Sequence, residues 1–260
     1  MDAPAQWPAS RFHGQIAANS LNGGVSLDAG APLTVENARR LIGECILFRH
    51  LSPEQRGRLA RSAHLRSLAA GDTVFLMGDP GDSMMALLAG TVRISAPSPD
   101  GKEIILGLMQ PGEFFGELAL LDGNKRSAEA RAMTDCTLAV LNRRDVLQFL
   151  DQNPSGWPCV VEVLCERLRR TTVQITEVAL LELPVRLAKA LLRLSAVDGG
   201  AAAPIKLSQR ELGNIVGATR ESVNKCMREW QRSNTIRIDG NAITVQNRAS
   251  LRTIADAVED

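Results

Sequence analysis

Three side chains in residues 115–132, FGELALLDGNKRSAEARA, carry groups that could hold a ligand: the Glu117 carboxylate, the Arg126 guanidinium and the Ser127 hydroxyl. A carboxylate can accept hydrogen bonds from two ribose hydroxyls, and a guanidinium beside a hydroxyl and backbone N–H groups receives a phosphate. One ligand satisfies both ends if its singly charged phosphate is tied back to its own ribose, so the pattern points to a cyclic nucleotide. The surrounding leucines and alanines predict a segment packed into a core. Gly116 and Gly123 predict two tight bends, so the charged groups are expected to face a cavity. The competing reading is a structural Glu117–Arg126 ion pair with no ligand.

The elements that must position these groups differ along the chain. From about His64 to Leu141, short apolar runs such as TVFLM, SMMALLAG, TVRIS and EIILGLM alternate with Gly, Pro and Asp turn signals. That texture predicts an antiparallel β-barrel or roll able to hold one small ligand, with Gly71, Gly78, Gly81 and Asp100-Gly101 supplying positive-φ turn positions. Helices are expected across Val35–Leu47 and from Ser52, where Ser52 and Gln55 form a capping box around Pro53. Residues 1 to about 33 read as a flexible leader without an assigned function.

A helix from Pro158 to about Leu181 would be about 36 Å long, more than a small domain needs. Val161, Leu164, Leu168, Thr171, Ile175 and Val178 repeat at alternating spacings of three and four, the seam of a two-helix coiled coil, so a homodimer is expected. Packing of this stripe on its own roll is the other possibility. Thr171 interrupts the seam, either to fix register or, with Thr172, to bond something between helix and roll. A second helix, Pro184–Ser195, leads to a Gly/Ala-rich linker at 199–204.

Residues 207–245, LSQRELGNIVGATRESVNKCMREWQRSNTIRIDGNAITV, contain two short amphipathic patterns split at Gly217-Ala218-Thr219, a helix-turn-helix followed by a strand-turn-strand wing. Ser208 and Thr219 are placed to cap the two helices, and Arg220, Glu221 and Lys225 lie on the outside of the second. Arg and Lys can donate to guanine, and Glu can accept from cytosine, when a helix lies in the major groove of double-stranded DNA. Residues 205–252 carry nine basic and four acidic side chains, so a chain of net charge +1 has a basic end. A plain packing module with a solvated charged face is the alternative.

The chain's 260 residues and 45% hydrophobic content suit two soluble domains. No apolar run reaches about 18 residues and the N-terminus lacks a secretory pattern, so a cytoplasmic protein with no membrane partner is expected. Five scattered cysteines and three isolated histidines support neither a disulfide framework, a metal site nor an iron–sulfur centre. With no nucleophile–base pair or phosphate-transfer motif, an enzyme is not expected.

GELALLDGNKRSAEARA resembles the phosphate-binding cassette of the cyclic-AMP receptor protein / fumarate-nitrate regulator (Crp/Fnr) family, and the resemblance covers roughly residues 45–246. It implies an α+β fold: an antiparallel β-roll, a long dimerisation helix and a C-terminal winged helix-turn-helix. The implied divisions are a leader (1–33), a cyclic-nucleotide-binding roll with flanking helices (34–153), a dimerisation helix (154–182) and a DNA-binding domain (183–260). It implies that Glu117 holds the ribose 2′-OH and Arg126 the cyclic phosphate, assisted by Ser127 and the Gly116 backbone, with Leu118 and Ala128 beside them. Arg167 would support Glu117, and Thr171 and Thr172 would read the base. The implied ligand is cyclic AMP, with cyclic GMP open, and no metal. The implied partners are a second copy, RNA polymerase and a TGTGA-like DNA palindrome. Arg220 and Glu221 match base-reading positions, while Lys225 stands where the family pattern has Arg.

Overall fold

The computed structural model describes residues 52–195 and 204–257. The leader, the helix expected at 35–47, His13, His50, Cys45 and most of the linker at 199–204 lie outside the described residues.

The roll begins with α1 (Pro53–Ser62), whose Ser52–Gln55 capping box and first-turn proline are both present. Eight strands follow: β1 (His64–Leu68), β2 (Thr73–Phe75), β3 (Ser83–Ala89), β4 (Val92–Pro97), β5 (Glu103–Met109), β6 (Phe114–Phe115), β7 (Glu129–Ala132) and β8 (Cys136–Asn142), with the short helix α2 (Glu117–Asp122) between β6 and β7. They form two four-stranded sheets, ordered β1-β8-β3-β6 and β2-β7-β4-β5, and every pairing is antiparallel. Apolar side chains from both sheets meet between them, among them Leu68, Val74, Met85, Leu87, Val92, Phe115 and Leu138. These side chains make the roll's apolar core.

Gly71, Gly78 and Gly101 have positive φ as their turn positions require. Gly81 differs: its φ is ordinary, and a Cβ there would lie 2.3 Å from the Ala119 Cβ, so this glycine is needed for close packing of α2 against the strap before β3. A second apolar cluster joins α1, β3, α2 and β8 to α3 (Arg143–Gln152) and to the start of α4 (Trp157–Leu180), through Leu59, Met84, Leu120, Phe149 and Val160. The 24-residue α4 matches the expected long helix to within one residue at each end.

By its internal contacts the described chain divides into two compact units, one holding the roll and α4 through Leu181 together with Gly213–Thr219, the other holding 182–212 and the residues from Arg220 onward. Beyond Leu181 come α5 (Leu183–Leu194), β9 (Ile205–Lys206), α6 (Gln209–Val216), α7 (Arg220–Arg232), β10 (Ile236–Asp239), β11 (Ala242–Val245) and α8 (Arg248–Ala255). Strands β10 and β11 pair as a hairpin through Gly240, and β9 adds to β11. Arg248 of α8 donates to the Ser195 hydroxyl at 3.0 Å, closing the end of α5.

Candidate ligand cassette and helix-turn-helix

The cassette starts where β6 ends. Gly116 takes a left-handed conformation, φ 81°, that turns the chain directly into α2, and Gly123, φ 75°, ends that helix by donating to the Ala119 carbonyl. Arg143 of α3 donates from Nε to the Leu120 carbonyl at 2.7 Å, so the C-terminal end of α2 receives a cation. Glu117, the first residue of α2, is 5% exposed, and its Oε1 lies 2.6 Å from Arg167 Nε on α4. Arg167 also donates from Nη2 to the Phe114 carbonyl. Toward α1 and α3, Glu117 borders an apolar void of about 20 Å³ walled by Leu59, Met84, Leu121, Val146, Phe149 and Val160.

At the other end of the segment, Arg126 is 4% exposed. Its Nη1 donates to the Gly116 carbonyl and its Nη2 to the Ser83 carbonyl, each at 2.7 Å, with the Ser83 hydroxyl 3.1 Å away. The guanidinium carbon stands 4.3 Å from the centre of the Phe75 ring. Its backbone is clamped as well, Arg126 N donating to Asp79 O and its own carbonyl accepting from Gly78 N. Burial draws the guanidinium below its ordinary pKa, opposed by the charges of Asp82, Asp79 and Glu117. Its Nε is buried without a hydrogen-bond acceptor. Arg126 therefore holds backbone carbonyls in this structure rather than pairing with Glu117. Ser127 is exposed beside it, Ala128 is buried and Leu118 is 46% exposed.

Helix α4 is fastened to the edge of the roll by a row of side chains. Arg170 pairs with Glu113 at 3.2 Å and with Glu166 at 3.0 Å, and against the cost of burial these carboxylates raise its pKa. Gln174, which sequence reasoning did not single out, donates from Nε2 to the Ile105 carbonyl of β5 at 2.8 Å. Thr171 lies between Arg167 and Gln174 on this side and is exposed. Thr172 lies farther around the helix and spends its hydroxyl proton on the Leu168 carbonyl, 2.8 Å. Of the expected seam, Leu164 packs on the roll's core, whereas Val161, Leu168, Ile175 and Val178 remain 55%, 69%, 63% and 38% exposed.

In the second unit, Ser208 and Glu211 form the capping box of α6: Ser208 N donates to Glu211 Oε2 at 2.7 Å and Glu211 N to Ser208 Oγ at 3.2 Å. Gly217, φ 65°, makes the turn and Thr219 immediately precedes α7. Leu212, Val216, Val223, Met227 and Trp230 are buried, which leaves Arg220, Glu221, Lys225 and Arg228 exposed on the outside of α7. Asn224, next to Lys225 in the chain, turns inward and donates to Gln209 Oε1 of α6 at 2.6 Å. A polar residue on the inner edge of an amphipathic helix carries no periodicity signal, which is why the sequence did not reveal it.

Among the described residues the four cysteines are free thiols, with Cys165 exposed. Cys136 and Cys159 are buried, and burial with the charge of Glu229 raises the pKa of the Cys226 thiol. Among the described residues no group of three His, Cys, Asp or Glu side chains could hold a metal ion, and no helix is long and apolar enough to cross a membrane.

Residues 65–153 match the cyclic nucleotide-binding domain family and residues 185–254 the Crp-like helix-turn-helix domain family. A CRP-like cAMP-activated global transcriptional regulator of Mycobacterium tuberculosis is 30% identical over 206 residues, which span 77% of this chain and 92% of that protein. A cyclic AMP receptor protein of Thermus thermophilus is 30% identical over 209 residues, 80% of this chain and 96% of that one. Among solved structures, the c-di-GMP-responsive global regulator CLP of Xanthomonas campestris is similar at TM-score 0.67 and 25% identity, covering 75% of this chain and 99% of that one. A CRP/FNR-family transcriptional regulator of Thermus thermophilus is similar at TM-score 0.60 and 32% identity, covering 75% and 99%. With a nucleotide-binding roll, a long helix and a helix-turn-helix in this order, the chain belongs to the Crp/Fnr family, whose members are transcription regulators and not enzymes.

Proposed function

We propose that this protein is a cytoplasmic homodimer that binds palindromic DNA when cyclic AMP occupies the edge of its roll. The observation that carries this reading is the Glu117–Arg167 pair at 2.6 Å, which ties the expected ribose acceptor to the long helix rather than to the rest of the roll. A ribose hydroxyl donating to Glu117 would share the carboxylate with Arg167, so ligand occupancy and the position of α4 are linked through one contact. The phosphate would be received by Arg126, with Ser127, Gly116, Leu118 and Ala128 around it. Backbone carbonyls that accept from Arg126 in this structure would be exchanged for an anion, a stronger charge-assisted partner.

The exposed Leu168, Ile175 and Val178 would bury against the same residues of a second copy, giving the dimer two recognition helices for a palindrome whose half-sites are one helical turn of DNA, about 34 Å, apart. Arg220, Glu221 and Lys225 would read a TGTGA-like half-site, with Ser208 and Thr219 holding the phosphate backbone. RNA polymerase is the expected downstream partner, and no metal is required. The relatives described as cAMP-activated favour cyclic AMP as effector, while the likeness to a c-di-GMP-responsive regulator makes that nucleotide a necessary control.

The test is fluorescence anisotropy of a labelled TGTGA-type palindrome at one fixed salt concentration, with cyclic AMP, cyclic GMP, c-di-GMP or no nucleotide. Cyclic AMP is expected to tighten binding tenfold or more, about 1.4 kcal/mol of coupling. Arg126→Ala should abolish that response by weakening nucleotide binding by roughly 2 to 4 kcal/mol. Equal DNA affinity with and without every nucleotide would overturn the reading.

A further inference from the structure

The geometry points to Gln174 as the residue that selects the base of the bound nucleotide, an inference that rests on the proposed cyclic-nucleotide site. Helix α4 runs beside β5 in the opposite sense, because Arg167 lies at the end of that strand, 3.9 Å from Met109 Sδ, and Gln174 lies at its middle, on the Ile105 carbonyl. Seven residues of helix separate the two, a rise of about 10 Å with nearly no rotation, so both face the same strip of the roll. Arg167 marks the ribose end of that strip through Glu117. A purine attached to a ribose at Glu117 and extending away from Arg126 along α4 reaches past Thr171 toward Gln174.

The chemistry of the amide then decides which purine fits. One Nε2–H is fixed on Ile105, while the other N–H and Oε1 make no hydrogen bond among the described residues. This leaves one donor beside one acceptor in a fixed plane. Adenine offers the complementary pair, an amino N–H beside a ring nitrogen, and an Asn or Gln amide reads it in two bonds. Guanine in the same pose presents O6, an acceptor, where adenine has its amino donor, so one group on its N7 edge, and both O6 and N1–H on its N1 edge, would meet a like group of the amide. Thr171 cannot make this distinction, since a rotating hydroxyl donates or accepts equally well. The Ile105 carbonyl matters because it stops the amide from flipping to suit guanine.

Calorimetric titration of the full-length protein with cyclic AMP and with cyclic GMP tests this in wild type, Gln174→Leu and Gln174→Glu. Wild type is expected to favour cyclic AMP at least tenfold. Gln174→Leu keeps the side chain's bulk and should lose most of that ratio, chiefly through weaker cyclic AMP binding. Gln174→Glu presents two acceptors, which match the N1–H and amino donors of guanine, and should shift the ratio toward cyclic GMP. Thermal unfolding of each variant checks that the fold is kept. If both nucleotides weaken by the same factor in both variants, Gln174 only docks α4 on β5 and the inference fails while the ligand site stands. If wild type binds neither nucleotide, the ligand site itself is wrong.

Discussion

Arg126 and Gly116 fit each other closely: Nη1 donates to the Gly116 carbonyl at 2.7 Å, and a Cβ on residue 116 would lie 2.7 Å from the same nitrogen, so one of them would have to move. Gly116→Ala combines that collision with a left-handed backbone, φ 81°, that side chains adopt at a cost. It should lower stability by about 1 to 3 kcal/mol in urea denaturation. It should also weaken nucleotide binding, since the guanidinium must shift.

Arg167→Ala removes the cation beside the buried Glu117 carboxylate and also the donor to the Phe114 carbonyl. A loss of about 1 to 3 kcal/mol is expected from the unsatisfied groups. Arg167→Lys should recover part of it, because it restores charge but not the two-sided reach of a guanidinium. Chemical denaturation of Arg167→Ala, Glu117→Gln and the double variant measures the coupling, and strictly additive losses would refute the contact.

Leu168→Glu and Ile175→Glu change side chains that are 69% and 63% exposed within one chain, so each should leave the fold of the single chain intact, with a circular dichroism spectrum like that of wild type. In a dimer both would bury charge against charge. Sedimentation equilibrium should therefore show the variants as monomers at micromolar concentration, with palindrome binding lost. A dimer of unchanged affinity would place the interface elsewhere.

Arg220→Ala and Lys225→Ala should each weaken specific DNA binding by roughly 1 to 3 kcal/mol if they reach base edges. Binding measured from low to moderate salt separates roles. A residue that neutralises a phosphate lowers the slope of log affinity against log salt by about 1 and weakens every sequence alike, whereas a base reader relaxes the preferred site. Lys225→Arg, restoring a forked donor, should sharpen discrimination for guanine at its position.

Much was legible because it depends on neighbours along the chain. The Ser52 and Ser208 capping boxes, the bends at Gly116 and Gly123, the hairpin at Gly240 and the span of the long helix are all local, set by backbone conformation and by groups three or four residues apart. The order of roll, long helix and helix-turn-helix followed from periodicity and turn spacing for the same reason. Partner choice among distant residues is not local. Only the folded chain turned Arg126 onto the Gly116 and Ser83 carbonyls, made Gly81 a packing glycine beside Ala119, set Gln174 on Ile105 and drew Asn224 inward to Gln209. Each of these pairs a buried or half-buried polar group, or a missing side chain, with whatever β-pairing and helix packing bring within reach, a match decided by three-dimensional proximity and the cost of leaving a polar group unsatisfied.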